Sequence, residues 1–279
     1  MTQRVIVSVT ELCETQDDPE LVVLDCRFEL ADPDWGRRAY TVEHLPGAQY
    51  VHLNDDLSGP VTANTGRHPL PDPAQFANTL SRLGVGPDSR VVAYDQTNGF
   101  VAARLWWLLR ARGHERVQVL DGGFAAWRTA GLPLERHLPQ VTPQRAVVRP
   151  YTGLANTAAV AAALRDASIL LVDARAADRF AGRNETLDPV AGHIPGAVNH
   201  PYAQNLDQDG QFLPAAELHK RWLATLAGRS PDQLVAMCGS GVTACHNLLA
   251  LELAGLPGGR LYPGSFSEWI RDPLRPVVT

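Results

Sequence analysis

The chain has 279 residues, 45% of them apolar and 20% charged, with a formal charge of −5 from 25 Lys and Arg against 30 Asp and Glu. That length holds one large domain or two of ordinary size, and the small negative charge without any long basic run excludes a nucleic-acid or anionic-membrane surface. An anion bound here must be held by local groups.

At the N-terminus, MTQRVIVSVTELCET carries one arginine and an apolar stretch of about four residues. A signal-peptide core needs ~7–15 apolar residues and a membrane span more, so a cytoplasmic protein with no membrane partner is expected. Cys13, Cys26, Cys238 and Cys245 show no C-x-x-C spacing and are sparse for a disulfide scaffold, which reads as reduced thiols. No zinc-ligand constellation is present, and neither metal nor cofactor is expected.

Further along, the chain repeats itself. LVVLDCR at 21–27 returns as LLVDAR at 170–175, EHLPGAQYVHL at 43–53 as GHIPGAVNHPY at 192–202, and LDGGFAAW at 120–127 as YPGSFSEW at 262–269. Within the first copy, RVVAYD (90–95) reads as a strand, FVAARLWWLLRARG (100–113) as a helix and RVQVLDGG (116–123) as a strand, the alternation of a βαβ unit. The strands are continuous apolar runs, as in a parallel sheet covered on both faces. RHLPQVTPQRAVVRPY (136–151) has three prolines and no helical period and reads as an extended linker. The expected fold class is α/β, two similar domains of parallel sheet flanked by helices, spanning 1–137 and 150–279 with a linker at 138–149.

Residues kept in both copies most simply serve the shared fold, whereas those that differ mark divided labour. Asp25 and Arg27 recur as Asp173 and Arg175 and are read as structural ion pairs. His44 and His193, each in a turn before Pro-Gly, are read as structural too. Cys238 differs: its counterpart at the end of RVVAYD, after a one-residue length change in the loop, is Asp95. The sequence MCGSGVTAC (237–245) places the thiol between an apolar strand, LVAM, and a helix from about Ala244 to Gly255. Backbone N–H groups in such a loop form an anion-binding concavity into which the helix dipole points. A free cysteine titrates near ~8.5, and this kind of setting lowers that to roughly 3.5–7.5, so a reactive thiolate is expected. Gly239 and Gly241 let the loop Cys238–Thr243 curl round the sulfur through Val242, and the hydroxyls of Ser240 and Thr243 can donate to it or to a bound anion.

The D-x-R strand ends, the H-[LI]-P-G-A turns, the [GS]-F-x-x-W segments and CGSGVTAC together resemble the rhodanese superfamily, most closely its tandem-domain sulfurtransferases, over nearly the whole chain. The resemblance implies that the first copy is non-catalytic, with Asp95 in place of the nucleophile. Cys238 would then take sulfur from a small-molecule donor as a persulfide and pass it to a thiophilic acceptor such as cyanide, a thiol or thioredoxin, a ping-pong scheme. Uncharged Gly239 and Ser240 after the cysteine match members that use 3-mercaptopyruvate, with thiosulfate as the alternative donor and a non-catalytic binding module as a more distant reading. Two arginines grip the keto acid in that group. Arg179 matches the first and has only Ala31 at the same spacing in the other copy. Asp188 falls about where the second should be, leaving Arg183 as the nearest candidate. A serine–histidine–aspartate relay assigned to the family matches Ser240 and His68. Asn54 stands at the aspartate's place, with Asp55 beside it as the substitute.

Two rival enzymes are weaker. Gly239 to Ala244 satisfies G-x-G-x-x-[GA], but the acidic residue that dinucleotide binding expects after the next strand is replaced by Pro263 and Gly264. A cysteine phosphatase needs an arginine closing the loop, and Ala244 stands there.

Overall fold

The computed structural model describes residues 4–279, which divide into two compact units. The first comprises the residues through Gly59, Pro71–Thr152 and Gln208–Phe212; the second comprises Pro60–Leu70, Gly153–Asp207 and Leu213–Thr279. Two short segments therefore lie across the seam of the duplication. Residues 60–70 of the first copy are built into the second unit, and 208–212 of the second copy into the first. The stretch 138–149 has no helix or strand and lies along the first unit, where Gln144 N–H donates to the Ser81 carbonyl at 3.1 Å and Arg112 donates to the Arg149 carbonyl at 3.3 Å.

The first unit runs β1 (Ile6–Val7), α1 (Val9–Glu14), β2 (Leu21–Asp25), α2 (Trp35–Val42), β3 (Gln49–Tyr50), α3 (Pro73–Arg82), β4 (Arg90–Tyr94), α4 (Phe100–Arg110), β5 (Val117–Leu120) and α5 (Gly123–Thr129). Its sheet has the order β1-β5-β4-β2-β3, every pair parallel. The second unit runs α6 (Thr157–Asp166), β6 (Leu170–Asp173), α7 (Ala177–Phe180), β7 (Val198–Asn199), α8 (Ala215–Leu226), β8 (Leu234–Met237), α9 (Thr243–Leu253), β9 (Arg260–Leu261) and α10 (Ser265–Trp269). Its sheet, β7-β6-β8-β9, is again parallel throughout and repeats the order of β3-β2-β4-β5. In place of β1 there is one parallel bridge, Leu154 to Leu261.

Local chemistry explains where these elements begin. Pro73 opens α3 behind the Asp72 carboxylate, which accepts from Ala74 and Gln75 N–H at 2.8 and 3.2 Å. Helices α4 and α9 are apolar nearly all round and are buried over most of their length, so each is fixed against its sheet rather than laid on the surface. Anything placed at their N-termini inherits that rigidity.

The retained pairs are structural in both units. Arg27 meets Asp25, and Arg175 meets Asp173, each at 2.7 Å with both partners buried, and each guanidinium also donates to a loop carbonyl, Glu43 at 2.7 Å and Gly192 at 2.9 Å. Each lies over a phenylalanine ring, Phe124 and Phe266, about 4 Å from the centroid. His44 Nδ1 faces the Tyr40 carbonyl and His193 Nδ1 the Phe180 carbonyl, at 2.7 and 2.9 Å.

Candidate active site

Register fixes the position of the odd cysteine. Asp173 pairs with Met237, as Asp25 does with Tyr94, so Cys238 and Asp95 each sit one residue past the C-terminal end of the corresponding strand. Open parallel sheets present their ligand sites at that edge. Helices α9 and α4 then start at the same distance, from Thr243 and Phe100, so the expected one-residue length change in the loop is absent.

The loop turns its amides and its carbonyls in different directions. Ser240 and Gly241 aim their N–H groups at the Cys238 sulfur, at 3.4 and 3.1 Å. The carbonyls of Cys238 and Gly239 accept from Phe266 and Ser267 N–H at 3.0 and 2.9 Å, the opening turn of α10. Cys238 N–H donates to Ser265 Oγ at 3.1 Å. With the Cys238 and Gly239 carbonyls engaged by α10, the loop turns two donors to the sulfur, and charge developing on it meets dipoles already in place. Gly241 is required for the curl: its φ is +79°, and a Cβ would lie 2.5 Å from the Pro263 carbonyl oxygen. Val242 caps α9 and is buried, and Thr243 is its first residue.

In the first unit a carboxylate takes the sulfur's place. Asp95 accepts from Gly99 and Val101 N–H at 2.9 Å and Ala102 N–H at 3.3 Å. Burial pushes this carboxyl above its ordinary range, opposed by those same amides. The anion-binding loop there is filled by the chain itself.

Residues 60–70 supply the second wall of the site. Gly66 packs where a Cβ would meet the Gly264 carbonyl oxygen at 2.5 Å, Arg67 N–H donates to Ser267 Oγ at 3.1 Å, and Arg271 Nε donates to the Thr65 carbonyl at 3.2 Å. This seat brings His68 Nδ1 to 2.8 Å from Ser240 Oγ, both residues buried. Asp55 has partners of its own. It belongs to the first unit, where its exposed carboxylate faces Arg37 at 3.5 Å and His52 Nδ1 at 3.2 Å, so the sequence neighbour of the expected aspartate is spent on surface pairs.

The third wall is ionic. Glu185, nearly buried, accepts from Arg179 Nε and Nη2 at 2.8–3.2 Å and from Leu187 and Asp188 N–H at 2.9 and 3.0 Å. Burial alone would raise its pKa, but Arg179 and the two amides outweigh it and hold the carboxyl below its usual range. Asp188 accepts from Arg179 Nη2 at 3.2 Å and from Arg67 Nη1. Its carboxyl is raised, first by burial and then by Glu185, against the pull of both arginines. Arg179 thus lies near the loop, its Nη2 3.5 Å from where a Cβ on Gly239 would stand. Arg183 does not: its side chain is exposed, with no ion pair among the described residues. Arg67, next to His68 and without a role in the sequence reading, comes close instead, its Nη2 lying 2.7 Å from where a Cβ on Gly239 would stand.

Comparison with known proteins agrees with the fold and the duplication. The rhodanese-like domain matches twice, over residues 8–130 and 156–272. A probable 3-mercaptopyruvate sulfurtransferase of Pseudomonas aeruginosa is 50% identical over 100% of this chain and 99% of its own. A putative thiosulfate sulfurtransferase of Mycobacterium tuberculosis is 42% identical over 98% of this chain and 96% of its own. Among solved structures, 3-mercaptopyruvate sulfurtransferase from Leishmania major superposes with a TM-score of 0.85 at 32% identity, covering 97% of this chain and 76% of that one. The chain belongs to the rhodanese family and is an enzyme of its sulfurtransferase class. Among the described residues no helix is long and apolar enough to cross a membrane.

Proposed function

We propose that this enzyme moves sulfur from 3-mercaptopyruvate to a thiol acceptor through a persulfide on Cys238. The observation that carries the reading is the pair of N–H groups, from Ser240 and Gly241, aimed at a sulfur that only one of the two copies possesses. The Cys238 thiolate attacks the donor sulfur, an S–S bond forms, and the C–S bond breaks. The departing electron pair becomes the enolate of pyruvate, which takes up the proton released as the persulfide ionises. The loop amides then hold the persulfide anion. In the second half-reaction an acceptor thiolate attacks the outer sulfur, and the Cys238 thiolate leaves. On this reading Ser240, hydrogen-bonded to His68, donates to the donor's carbonyl oxygen, and Arg179 meets its carboxylate.

The keto-acid donor, a monoanion, is favoured over the thiosulfate dianion because Gly239 and Ser240 add no cation beside the sulfur and the charges of the nearby guanidiniums are balanced by Glu185 and Asp188. A thioredoxin-like dithiol or a small thiol is the proposed acceptor. The cytoplasm, where thiols stay reduced, is the proposed compartment, consistent with four free cysteines. Steady-state rates with both donors and cyanide as acceptor test the proposal: 3-mercaptopyruvate should give the higher kcat/KM, and a tenfold preference for thiosulfate would overturn it.

A further inference from the structure

The guanidinium donors around Gly239 are unequally committed. Arg179 is heavily committed: its Nε and Nη2 are both engaged by Glu185, and Nη2 is shared with Asp188. Only Nη1 is left to it. Arg67 spends a single side-chain nitrogen, Nη1, on Asp188, while its Nε and Nη2 have no hydrogen-bond partner among the described residues. That free edge faces the loop. A Cβ on Gly239, the residue next to Cys238, would stand 2.7 Å from Arg67 Nη2 and 3.5 Å from Arg179 Nη2. With no side chain on Gly239 to hold them off, both guanidiniums converge over it, Arg67 Nη2 the nearer.

We propose that Arg67 is the principal carboxylate-binding residue of this site, taking the donor's carboxylate on its free Nε–Nη2 edge, with Asp188 as the positioning residue that holds it over Gly239. The inference rests on the keto-acid reading above and names the group that selects for it. The two charges of Arg67 and Arg179 are balanced at rest by Asp188 and Glu185, so the substrate carboxylate enters a neutral ionic cluster rather than an open cationic patch. Selectivity then comes from the planar two-donor fork, which suits a carboxylate. Asp188, in the position of the unmatched second arginine, is not a lost ligand but the anchor of one that arrives from residues 60–70.

The test uses the full-length enzyme with Arg67→Met, which keeps the stem and removes the fork, and Arg67→Lys, which keeps the charge alone. Expected is a rise in KM for 3-mercaptopyruvate of tenfold or more with a much smaller change in kcat, the lysine variant recovering only part of it. As a probe independent of sulfur transfer, alkylation of Cys238 by iodoacetate should slow at least fivefold in Arg67→Met, with iodoacetamide reacting within twofold of wild type. A KM within twofold of wild type, or equal slowing with both alkylating agents, overturns the inference. Should the wild type fail to turn over 3-mercaptopyruvate, the donor reading falls, and the iodoacetate-to-iodoacetamide ratio still decides whether Arg67 recognises a carboxylate.

Discussion

The imidazole of His68 lies 2.8 Å from the hydroxyl of Ser240, although 172 positions separate them. Such a pair can orient and polarise a substrate group, while Asp55 is engaged by Arg37 and His52. Ser240→Ala and His68→Asn should each lower kcat by about a hundredfold, the low end for general acid–base groups. Because they act as one unit, the double variant should be little worse than either single. Single-turnover release of pyruvate measures this, and fully additive losses would separate the two roles.

Cys238→Ser should abolish turnover. After donor treatment, intact mass should show one added sulfur atom on the wild-type protein and none on the variant. Sulfur recovered instead on Cys245, which donates to the Gly241 carbonyl at 3.3 Å, would relocate the chemistry.

Gly241→Ala forces a side chain into a left-handed backbone and toward the Pro263 carbonyl oxygen. Strain of this kind costs about 1–3 kcal/mol, and relieving it must tilt an N–H away from the sulfur. Urea unfolding should show the loss of stability, and persulfide formation should slow beyond what the unfolded fraction explains.

Acid stability has a named sensor. Burial lowers the pKa of His200 to about 4, with its ring stacked on Trp222 and its nitrogens bonded to Thr225 and Asn205. Between its unfolded value of about 6.5 and its folded value the unfolded chain binds the extra proton, so stability falls as pH drops through that window. By linkage the loss reaches ~3 kcal/mol. Melting temperatures at pH 7, 5.5 and 4.5 should decline accordingly, and His200→Gln should flatten the decline.

Asp95 gives the contrasting case. Asp95→Ala strands three buried N–H groups at the start of α4 and should cost about 1–3 kcal/mol for each that water does not reach. Activity per folded molecule should stay near wild type, as measured by active-site alkylation alongside rate.

The duplication made much of the molecule readable from sequence. Strands such as Leu170–Asp173 are continuous apolar runs, and comparing Cys238 with Asp95 separates the reactive loop from the filled one. Arg179 was also legible, because Ala31 stands at its spacing in the other copy. Arg67 was not. It precedes α3 in the first copy, and no periodicity reports that Gly66 packs against Gly264. Arg183 and Asp55 failed for the converse reason: adjacency along the chain said nothing about where an exposed loop would point.

The exchange of residues 60–70 and 208–212 has a consequence for the gene. A cut at the repeat junction would leave the downstream product without Arg67 and His68, and without the hydrogen bonds that brace its nucleophile loop from Thr65 to Ser267. As a folded body, the second unit draws on chain from both repeats.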